Sequence, residues 1–195
     1  LVGCGVTTGY GSTVHTGEAT AGDTVVVMGV GGVGINAVQG ARIVGARHII
    51  ALDPVEYKRS RAREFGATHT AASLEEAASL VIGLTRGQKA DVCVVTTDVA
   101  EGAYVGQALS LVGKRGRVVM TAIAHPDETQ VSMSLVDLTL FEKQVRGSLF
   151  GSSNPHNDIF QMLDLYDSGQ LMLDELITRE YTLSDINAGY DDLRS

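Results

Sequence analysis

The stretch TVVVMGVGGVGINAVQG, residues 24–40, joins a β-branched apolar run to a glycine-rich turn and then to a helical pattern. Gly29, Gly31 and Gly34 form the spacing G-x-G-x-x-G directly after the predicted strand. The first glycine permits a tight turn, the second lets the backbone approach a pyrophosphate, and the third lets the helix pack closely on the strand. The pattern predicts a phosphate site at the positive end of the helix. The predicted loop residues are Gly29, Val30, Gly31, Gly32, Val33 and Gly34.

An acidic residue follows at the distance that such a loop requires. Asp53 lies 19 positions after Gly34, counted as 53 minus 34, and ends the predicted strand 48–53. A carboxylate there binds the adenosine ribose and repels a 2′-phosphate, so NAD is favoured over NADP. The alternative is a glycine-rich turn and a strand-terminal aspartate without a function. Lys58 comes five residues later, and its spacing alone predicts a solvated lysine on a charged helix.

Apolar runs and helical patterns alternate along most of the chain. The predicted strands are 24–29, 48–53, 68–72, 90–97, 116–122 and 144–150. The predicted helices are 34–46, 56–65, one that begins at Ser73 with a capping box to Glu76, and one over 101–112 that ends at Gly113. This alternation predicts an α/β fold with a doubly wound, six-stranded parallel sheet, a Rossmann domain over residues 6–150.

Residues 151–195 are predicted to be an appendage to the sheet domain. Asn154 and Pro155 begin a helix, with Ile159, Leu163 and Tyr166 on one face. The run LITREYTLSDINAGYDDL, residues 176–193, is then predicted to form a strand followed by a helix capped by Ser184.

Composition narrows the classes of partner. A net charge of −8 and a pI near 5.0 argue against a nucleic-acid partner. No apolar run approaches the roughly 18 residues of a membrane span, so no membrane partner is expected. The two cysteines suit a reducing cytoplasm better than a disulfide framework. The apolar, glycine-rich start LVGCG predicts that the chain is part of a longer protein.

Several blocks together resemble the zinc-dependent medium-chain alcohol dehydrogenases, and the resemblance covers essentially the whole chain. These blocks are GCGVTTGYGS (3–12), VMGVGGVGINAVQGA (27–41), ALDPVEYKR (51–59), FGAT (65–68) and LFGSS (149–153). Parts of them, with LTLFEKQVRGSLFGSSNP (138–155), are nearest to the actinobacterial nicotinoprotein-like branch, which is assayed with nitrosodimethylaniline. The resemblance implies reversible oxidation of a primary alcohol to an aldehyde, with hydride transfer to NAD.

The resemblance also implies a role for the cysteine in the block GCG. Cys4 matches a ligand of the catalytic zinc, whose other ligands, a cysteine and a histidine, belong to an N-terminal catalytic domain absent from this chain. Neither Cys93 nor any of the five histidines has a spacing that replaces them. One thiolate does not make a zinc site. Cys4 is therefore expected to bind zinc in a complete protein and to be inert in this chain alone.

Further site residues are implied by the same resemblance. Thr8 faces the nicotinamide and is the one residue assigned to catalysis. Asp53 and Lys58 match ribose-binding positions. The remaining positions match residues around the ribose, nicotinamide and carboxamide: Thr96, Thr97, Met120, Thr121, Ala122, Leu149 and Phe150. Two extra residues near 120–122 make the alignment of that stretch with the family less exact. The edge strand 144–150 is expected to pair with a second subunit, giving a homodimer or tetramer.

Three other functions remain open from the sequence. A zinc-free quinone or enoyl reductase would share the fold but not need Cys4. A module that binds a dinucleotide without catalysis would fit a chain that lacks the other zinc ligands. A methyltransferase-like domain that binds S-adenosylmethionine would share the sheet, and NADH binding would distinguish it.

Overall fold

The computed structural model describes residues 1–194 and has a six-stranded sheet at its centre. Its strands are β1 (Thr24–Met28), β2 (His48–Leu52), β3 (His69–Ala71), β4 (Ala90–Val95), β5 (Val112–Met120) and β6 (Gln144–Gly147). They lie in the order β3-β2-β1-β4-β5-β6, and these pairings are parallel. The order reverses between β1 and β4, which confirms the predicted doubly wound fold.

The sheet forms because its central strands are apolar on both faces. In β1, Val25 and Val27 contact one core, whereas Val26 and Met28 contact the other, as the two-residue period of a strand requires. The helices α2 (Gly32–Ile43) and α3 (Glu56–Glu64) cover the first face, and α4 (Leu74–Leu84) and α5 (Gly102–Leu111) cover the second. Both faces are therefore closed to water, as in other parallel sheets.

Helix ends follow the predicted capping chemistry. The Ser73 hydroxyl accepts a hydrogen bond from the Glu76 N–H at 3.3 Å, and the Glu76 carboxylate accepts one from the Ala72 N–H at 2.7 Å. The capping box is thus present, with its return bond one residue earlier than usual. At the predicted Asn154-Pro155 start, the Asn154 side chain accepts from the His156 N–H at 3.2 Å.

The N-terminal segment packs against residues 155–173 beside the sheet. Residues 2–16 form a continuous helical segment made of α1 (Thr7–Gly11) and two wider π turns, Val2–Val6 and Ser12–Thr16. The helix α7 (Pro155–Asp167) and the stretch after it cover this segment. The shared apolar cluster is Val6, Tyr10, Met162, Leu171 and Leu173. No helix in the described part of the chain is long and apolar enough to cross a bilayer.

The remaining elements are short. They are α6 (Leu135–Leu140), α8 (Ile186–Arg194), the 3₁₀ turns Phe150–Ser152, Asp174–Leu176 and Leu183–Asp185, and a small ladder of Val99–Ala100 with Ile123–Ala124. Several of their apolar side chains are exposed, including Leu140 at 71% and Leu183 at 86%.

Some predicted boundaries are wrong. The strand expected at 116–122 is β5, which begins at Val112 directly after α5, so Gly113 lies inside a strand. The strand expected over 144–150 ends at Gly147. Phe150, Gly151 and Ser152 have φ of +54°, +67° and +51°, and a left-handed backbone cannot continue a strand.

The C-terminal segment also differs from its prediction. Among the described residues no strand forms in 176–182, and this run is mostly exposed. The last helix begins after the turn Leu183–Asp185 and is not capped by Ser184. On α7 the buried apolar residue is Met162, whereas Leu163 is 40% exposed, so the predicted apolar face is rotated. Ser195 lies outside the described residues.

Candidate functional site

The glycine loop (residues 29–34) begins at a position that only glycine can occupy without backbone strain. Gly29 has φ of +88°, and its N–H donates to the Leu52 carbonyl at 2.8 Å. A Cβ at this position would lie 2.8 Å from the Thr97 nitrogen and 2.9 Å from the Thr96 oxygen. Gly29 therefore turns the chain sharply at the end of β1, close to the end of β4, which is the role predicted for it.

The centre of the loop borders open space. A Cβ built at Gly31 or at Gly32 would meet no heavy atom within 4 Å. Gly31 precedes α2, and no side chain caps the first turn of this 12-residue helix. Free N–H groups of a first turn and the positive helix end together favour an anion. The space beside Gly31 and Gly32 is therefore open to a ligand at the start of α2.

The third glycine packs the helix on the strand. A Cβ at Gly34 would lie 2.0 Å from the Gly29 carbonyl oxygen and 2.8 Å from Thr96 Oγ1. The Thr96 hydroxyl itself donates to the Gly29 carbonyl at 2.6 Å. Thr96, which directly follows β4, thus holds the loop in place. A side chain at Gly34 would push α2 away from the sheet.

Asp53 lies beside the loop, directly after β2. One carboxylate oxygen accepts from the Val30 N–H at 3.0 Å and the other from the Val55 N–H at 2.9 Å. Asp53 is 5% exposed. Lys58 is exposed on α3, and the basic residue that touches Asp53 is Arg59, which donates to the Asp53 carbonyl at 2.6 Å. No sequence pattern predicted this contact of Arg59, because a helix with several arginines does not single out one of them.

The other predicted residues lie at the carboxyl ends of the next three strands. Thr96 and Thr97 follow β4, Met120 ends β5, and the N–H groups of Thr121 and Ala122 both donate to the Val95 carbonyl, at 3.1 and 3.0 Å. Leu149 and Phe150 come after β6, and Leu149 is 85% exposed. One edge of the sheet therefore brings together most of the predicted cofactor residues.

Residues 7–11 lie against the glycine loop. A Cβ at Gly9 would be 2.1 Å from the Val33 carbonyl oxygen, so α1 and α2 touch through their backbones. Thr8 is partly buried in this helix, and its carbonyl accepts from the Ser12 hydroxyl at 2.7 Å. The predicted residue Thr8 is thus placed next to the start of α2.

A chain of hydroxyl groups joins α1 to the ends of β5 and β6, and the sequence analysis did not find it. Ser12 Oγ lies 3.1 Å from Ser148 Oγ, Ser148 Oγ 2.8 Å from Thr16 Oγ1, and Thr16 Oγ1 2.8 Å from Ser152 Oγ. Thr121 Oγ1 donates to Ser12 Oγ at 2.9 Å. We call Ser12, Ser148, Thr16 and Ser152 the hydroxyl chain. Linear spacing gives no signal for it, because members that bond to each other are up to 136 positions apart.

The described residues of the polypeptide do not form a metal site by themselves. Cys4 is exposed in the turn Val2–Val6, and Cys93 is buried in β4. Burial raises the pKa of the Cys93 thiol to about 12, so this thiol is not a ready metal ligand. Within residues 1–194 no three His, Cys, Asp or Glu side chains are grouped so that they could hold a metal ion. Zinc therefore does not fit the residues of this chain alone.

A polar contact joins the helical segment 2–16 to α7. His15 Nε2 lies 3.4 Å from an Asp158 carboxylate oxygen. Burial raises the pKa of the Asp158 carboxyl, but hydrogen bonds from Asn157 and the Asn154 N–H, with His15 nearby, outweigh it and lower this pKa. Burial, and then the charge of Asp158, raise the pKa of the Tyr10 hydroxyl.

Comparison with known proteins identifies the family of this site. Residues 32–168 match the family described as zinc-binding dehydrogenase. The chain belongs to the zinc-binding dehydrogenases. It is 51% identical over 194 residues to the NDMA-dependent alcohol dehydrogenase of Amycolatopsis methanolica, which covers 100% of this chain and 52% of that protein. It is 45% identical over 193 residues to alcohol dehydrogenase B of Mycobacterium tuberculosis (strain ATCC 25618 / H37Rv), covering 99% and 52% of the two.

Solved structures of zinc-binding dehydrogenases share the fold. The crystal structure of benzyl alcohol dehydrogenase from Acinetobacter calcoaceticus matches with a TM-score of 0.90 at 28% identity, over 99% of this chain and 52% of that one. The chain thus spans about half the length of the relatives that it matches. The family resemblance and the actinobacterial branch expected from the sequence are confirmed.

Proposed function

We propose that this chain is the NAD-binding portion of a zinc-dependent alcohol dehydrogenase that oxidises a primary alcohol to an aldehyde. The observation that carries the proposal is the glycine loop, open at Gly31 and Gly32 and followed by the buried Asp53 at the end of the adjacent strand. Relatives that bear the name alcohol dehydrogenase support the reaction class.

The loop and Asp53 would hold the adenosine half of NAD. The pyrophosphate would lie over Gly31 and Gly32, against the first turn of α2. The Asp53 carboxylate would accept from the ribose hydroxyls, since each of its oxygens has a second lone pair beside the one used by Val30 or Val55. A 2′-phosphate in the same place would meet a buried negative charge, which favours NAD over NADP.

The nicotinamide half would lie over β4, β5 and β6. A doubly wound sheet binds a dinucleotide across its switch point, one nucleotide over each half. Asp53 assigns the adenosine to β1–β3, so the other nucleotide falls to the strand ends of the second half. The residues that we propose for it are Thr8, Thr96, Thr97, Met120, Thr121, Ala122, Leu149 and Phe150. Lys58 is proposed only for the outer side of the adenosine ribose.

The residues of this chain would bind and orient the cofactor and would not perform the chemistry. When bound, NAD supplies the acceptor for a hydride from the carbinol carbon. The absence of side chains at Gly31 and Gly32 would let the dinucleotide approach the start of α2. The strand ends would shield from water the side of the nicotinamide that faces the protein.

Cys4 is proposed as one zinc ligand of the complete protein. It is exposed and therefore accessible to ligands from residues outside this chain. Because the described residues do not make a zinc site, we derive no step through the metal. We also propose that residues 151–195 belong with the catalytic domain of the complete protein, while 6–150 form the NAD-binding domain.

The edge of the sheet is proposed as a subunit contact. β6 pairs with β5 on one side only, and Val145 and Leu149 are 39% and 85% exposed. An edge strand with unpaired backbone groups is open to pairing with another strand. A second copy of the protein would continue the sheet across a two-fold axis and give a homodimer or a tetramer.

Binding without turnover is the second candidate for the chain on its own. It is favoured by the single exposed thiol and by the half-length match to relatives. The deciding experiment compares the 195-residue chain with the complete protein by calorimetric titration with NADH and NADPH and by assays of primary alcohols. We expect both proteins to bind NADH more tightly than NADPH, and only the complete protein, with zinc, to oxidise alcohols. If neither binds NADH, the dinucleotide proposal is wrong.

A further inference from the structure

The hydroxyl chain has a direction that its contacts determine. Each hydroxyl has one proton to donate. The Ser12 hydroxyl donates to the Thr8 carbonyl at 2.7 Å, so Ser148 must be the donor in its contact with Ser12. Thr16 must then donate to Ser148, and Ser152 to Thr16. Since every proton is used and the last acceptor is a carbonyl, the chain holds atoms in place and does not relay a proton.

The chain ends at a strained turn. Phe150, Gly151 and Ser152 all have a left-handed backbone, which is disfavoured for the two residues with a side chain. Such strain persists only where the surroundings fix it, and it is frequent at ligand sites. Ser152 belongs to this turn and is bound to Thr16 through its hydroxyl.

The turn is also packed directly on α1. A Cβ at Gly151 would lie 2.6 Å from the Thr7 carbonyl oxygen and 2.8 Å from that of Thr8. A Cβ at Gly11 would lie 2.3 Å from the Gly151 carbonyl oxygen. The backbones of α1 and the turn are therefore in contact, and the hydroxyl chain fixes how one is placed on the other.

We propose that Ser12, Thr16 and Ser148 are positioning residues for the nicotinamide end of NAD. The inference rests on the proposed function, which places the nicotinamide among Thr8, Thr121 and the Leu149–Phe150 backbone. Ser12 bonds to Thr8 and Thr121 at once, and Thr16 and Ser148 continue this contact to Ser152, next to Phe150. The chain thus sets the spacing of all three groups that would receive the carboxamide and ring.

The adenosine end has its own supports. Asp53 is held by the N–H groups of Val30 and Val55, and the glycine loop by Thr96. None of the hydrogen bonds of the hydroxyl chain involves these residues. Loss of the chain is therefore expected to disturb one half of the cofactor site and to leave the other half unchanged.

The test uses the complete protein, freed of bound cofactor, with Thr16→Val and Ser148→Ala. Each variant is titrated calorimetrically with NADH and with ADP-ribose, which has the adenosine and both phosphates but no nicotinamide. We expect the Kd for NADH to rise about tenfold, as for loss of a buried hydrogen bond. The Kd for ADP-ribose should change by less than about twofold.

Matched variants separate positioning from folding. Thr16→Ser keeps the hydroxyl and should restore wild-type NADH affinity. Thr13→Val removes another buried hydroxyl from the same segment, one that donates to the Ala37 carbonyl at 3.1 Å and not to a hydroxyl of the chain. It should leave the ratio of the two Kd values unchanged.

Two results would overturn the inference. Either the affinities for NADH and ADP-ribose fall together in Thr16→Val and Ser148→Ala, or neither affinity changes. If one variant does not fold, the other decides, and Ser152→Ala tests the far end of the chain. A wild-type protein that binds neither ligand would overturn the dinucleotide function itself, and this result is distinct from the first two.

Discussion

The backbone N–H of Val30 donates a hydrogen bond to the Asp53 carboxylate at 3.0 Å, which ties the end of β2 to the glycine loop after β1. The sequence predicted a ligand-binding role for Asp53, and the structure adds a supporting one. Because a carboxylate oxygen accepts more than one hydrogen bond, the two roles are compatible. A change at Asp53 is therefore expected to alter both the loop and the choice of cofactor.

Asp53→Ser should weaken NAD binding about tenfold and reduce the preference for NAD over NADP, since the charge that repels a 2′-phosphate is lost. It should also lower the Tm, because the Val30 N–H loses its buried acceptor. Titrations with NADH and NADPH measure the first effect, and thermal melts the second. Asp98→Ser, which changes an exposed acid after β4, is the control. An unchanged NADH-to-NADPH ratio in Asp53→Ser would count against the ribose contact.

Gly31→Val should abolish dinucleotide binding and leave the Tm nearly unchanged. The new side chain would occupy the space that is open at Gly31, where no heavy atom lies within 4 Å of a built Cβ. Gly34→Ala is the contrasting variant, because its Cβ would meet the Gly29 carbonyl oxygen at 2.0 Å. We expect it to lose roughly 3 kcal/mol or more of folding free energy. If Gly31→Val binds NADH normally, the loop is only a turn.

The two cysteines should differ sharply in reactivity. At pH 8, iodoacetamide should alkylate the exposed Cys4 of the 195-residue chain and leave Cys93 unmodified until the protein is unfolded, since burial raises the Cys93 pKa to about 12. Mass spectrometry of the two peptides gives the readout. In the complete protein a chelator should increase the alkylation of Cys4. Equal modification with and without the chelator would argue against Cys4 as a zinc ligand.

Asp158→Asn should destabilise the protein at neutral pH by about 1–3 kcal/mol, because the charged acceptor of the Asn154 N–H and the partner of His15 are lost. The pKa of Asp158 is lower in the folded state than its ordinary value of 3.8. The contribution of Asp158 to the free energy of unfolding is therefore complete above pH 3.8 and is lost as the pH falls through the lower pKa of the folded state. Urea melts of both proteins from pH 7 downward should therefore converge below pH 3.8. Asp164→Asn, an exposed acid on the same helix, is the control.

Val145→Lys should reduce the complete protein to monomers. The edge strand β6 has one neighbour within the chain, and a lysine on an edge strand opposes pairing with another. Light scattering gives the mass of wild type and variant. Leu183→Lys changes another exposed apolar residue, away from β6, and should leave the mass unchanged. A Val145→Lys protein with the wild-type mass would place the subunit contact elsewhere.

Local sequence signals were sufficient to predict the sheet and the turn of the glycine loop. β-branched runs such as 24–28 are buried on both faces, and the spacing of Gly29, Gly31 and Gly34 reflects backbone contacts that only glycine permits. The position of Asp53 beside the loop could be predicted because it ends the predicted strand that follows the loop, 19 positions after Gly34. These features depend on residues that are neighbours in sequence or in adjacent strands.

Other features depend on contacts between distant segments and give no local signal. The hydroxyl chain uses small polar residues in glycine-rich runs, such as Ser148 and Ser152, which look like ordinary loop residues. The end of β6 at Gly147 is set by the packing of Gly151 on α1, not by the propensity of the run QVRGSLF. Likewise, Arg59 and not Lys58 contacts Asp53. Which of the two does so depends on where α3 begins, and a shift of one residue would change it.

The one-proton rule of the hydroxyl chain has an evolutionary consequence. Each member depends on its neighbour for a donor or an acceptor. Loss of Ser12 or Ser148 leaves a buried hydroxyl without its acceptor, and loss of Thr16 or Ser152 removes a donor from the next member. Positions 12, 16, 148 and 152 should therefore be inherited as a set among relatives and be replaced together by apolar or glycine residues when they change. The Thr13 hydroxyl bonds to the carbonyls of Gly9 and Ala37 and not to the hydroxyl chain, so Thr13 should vary independently of these four positions.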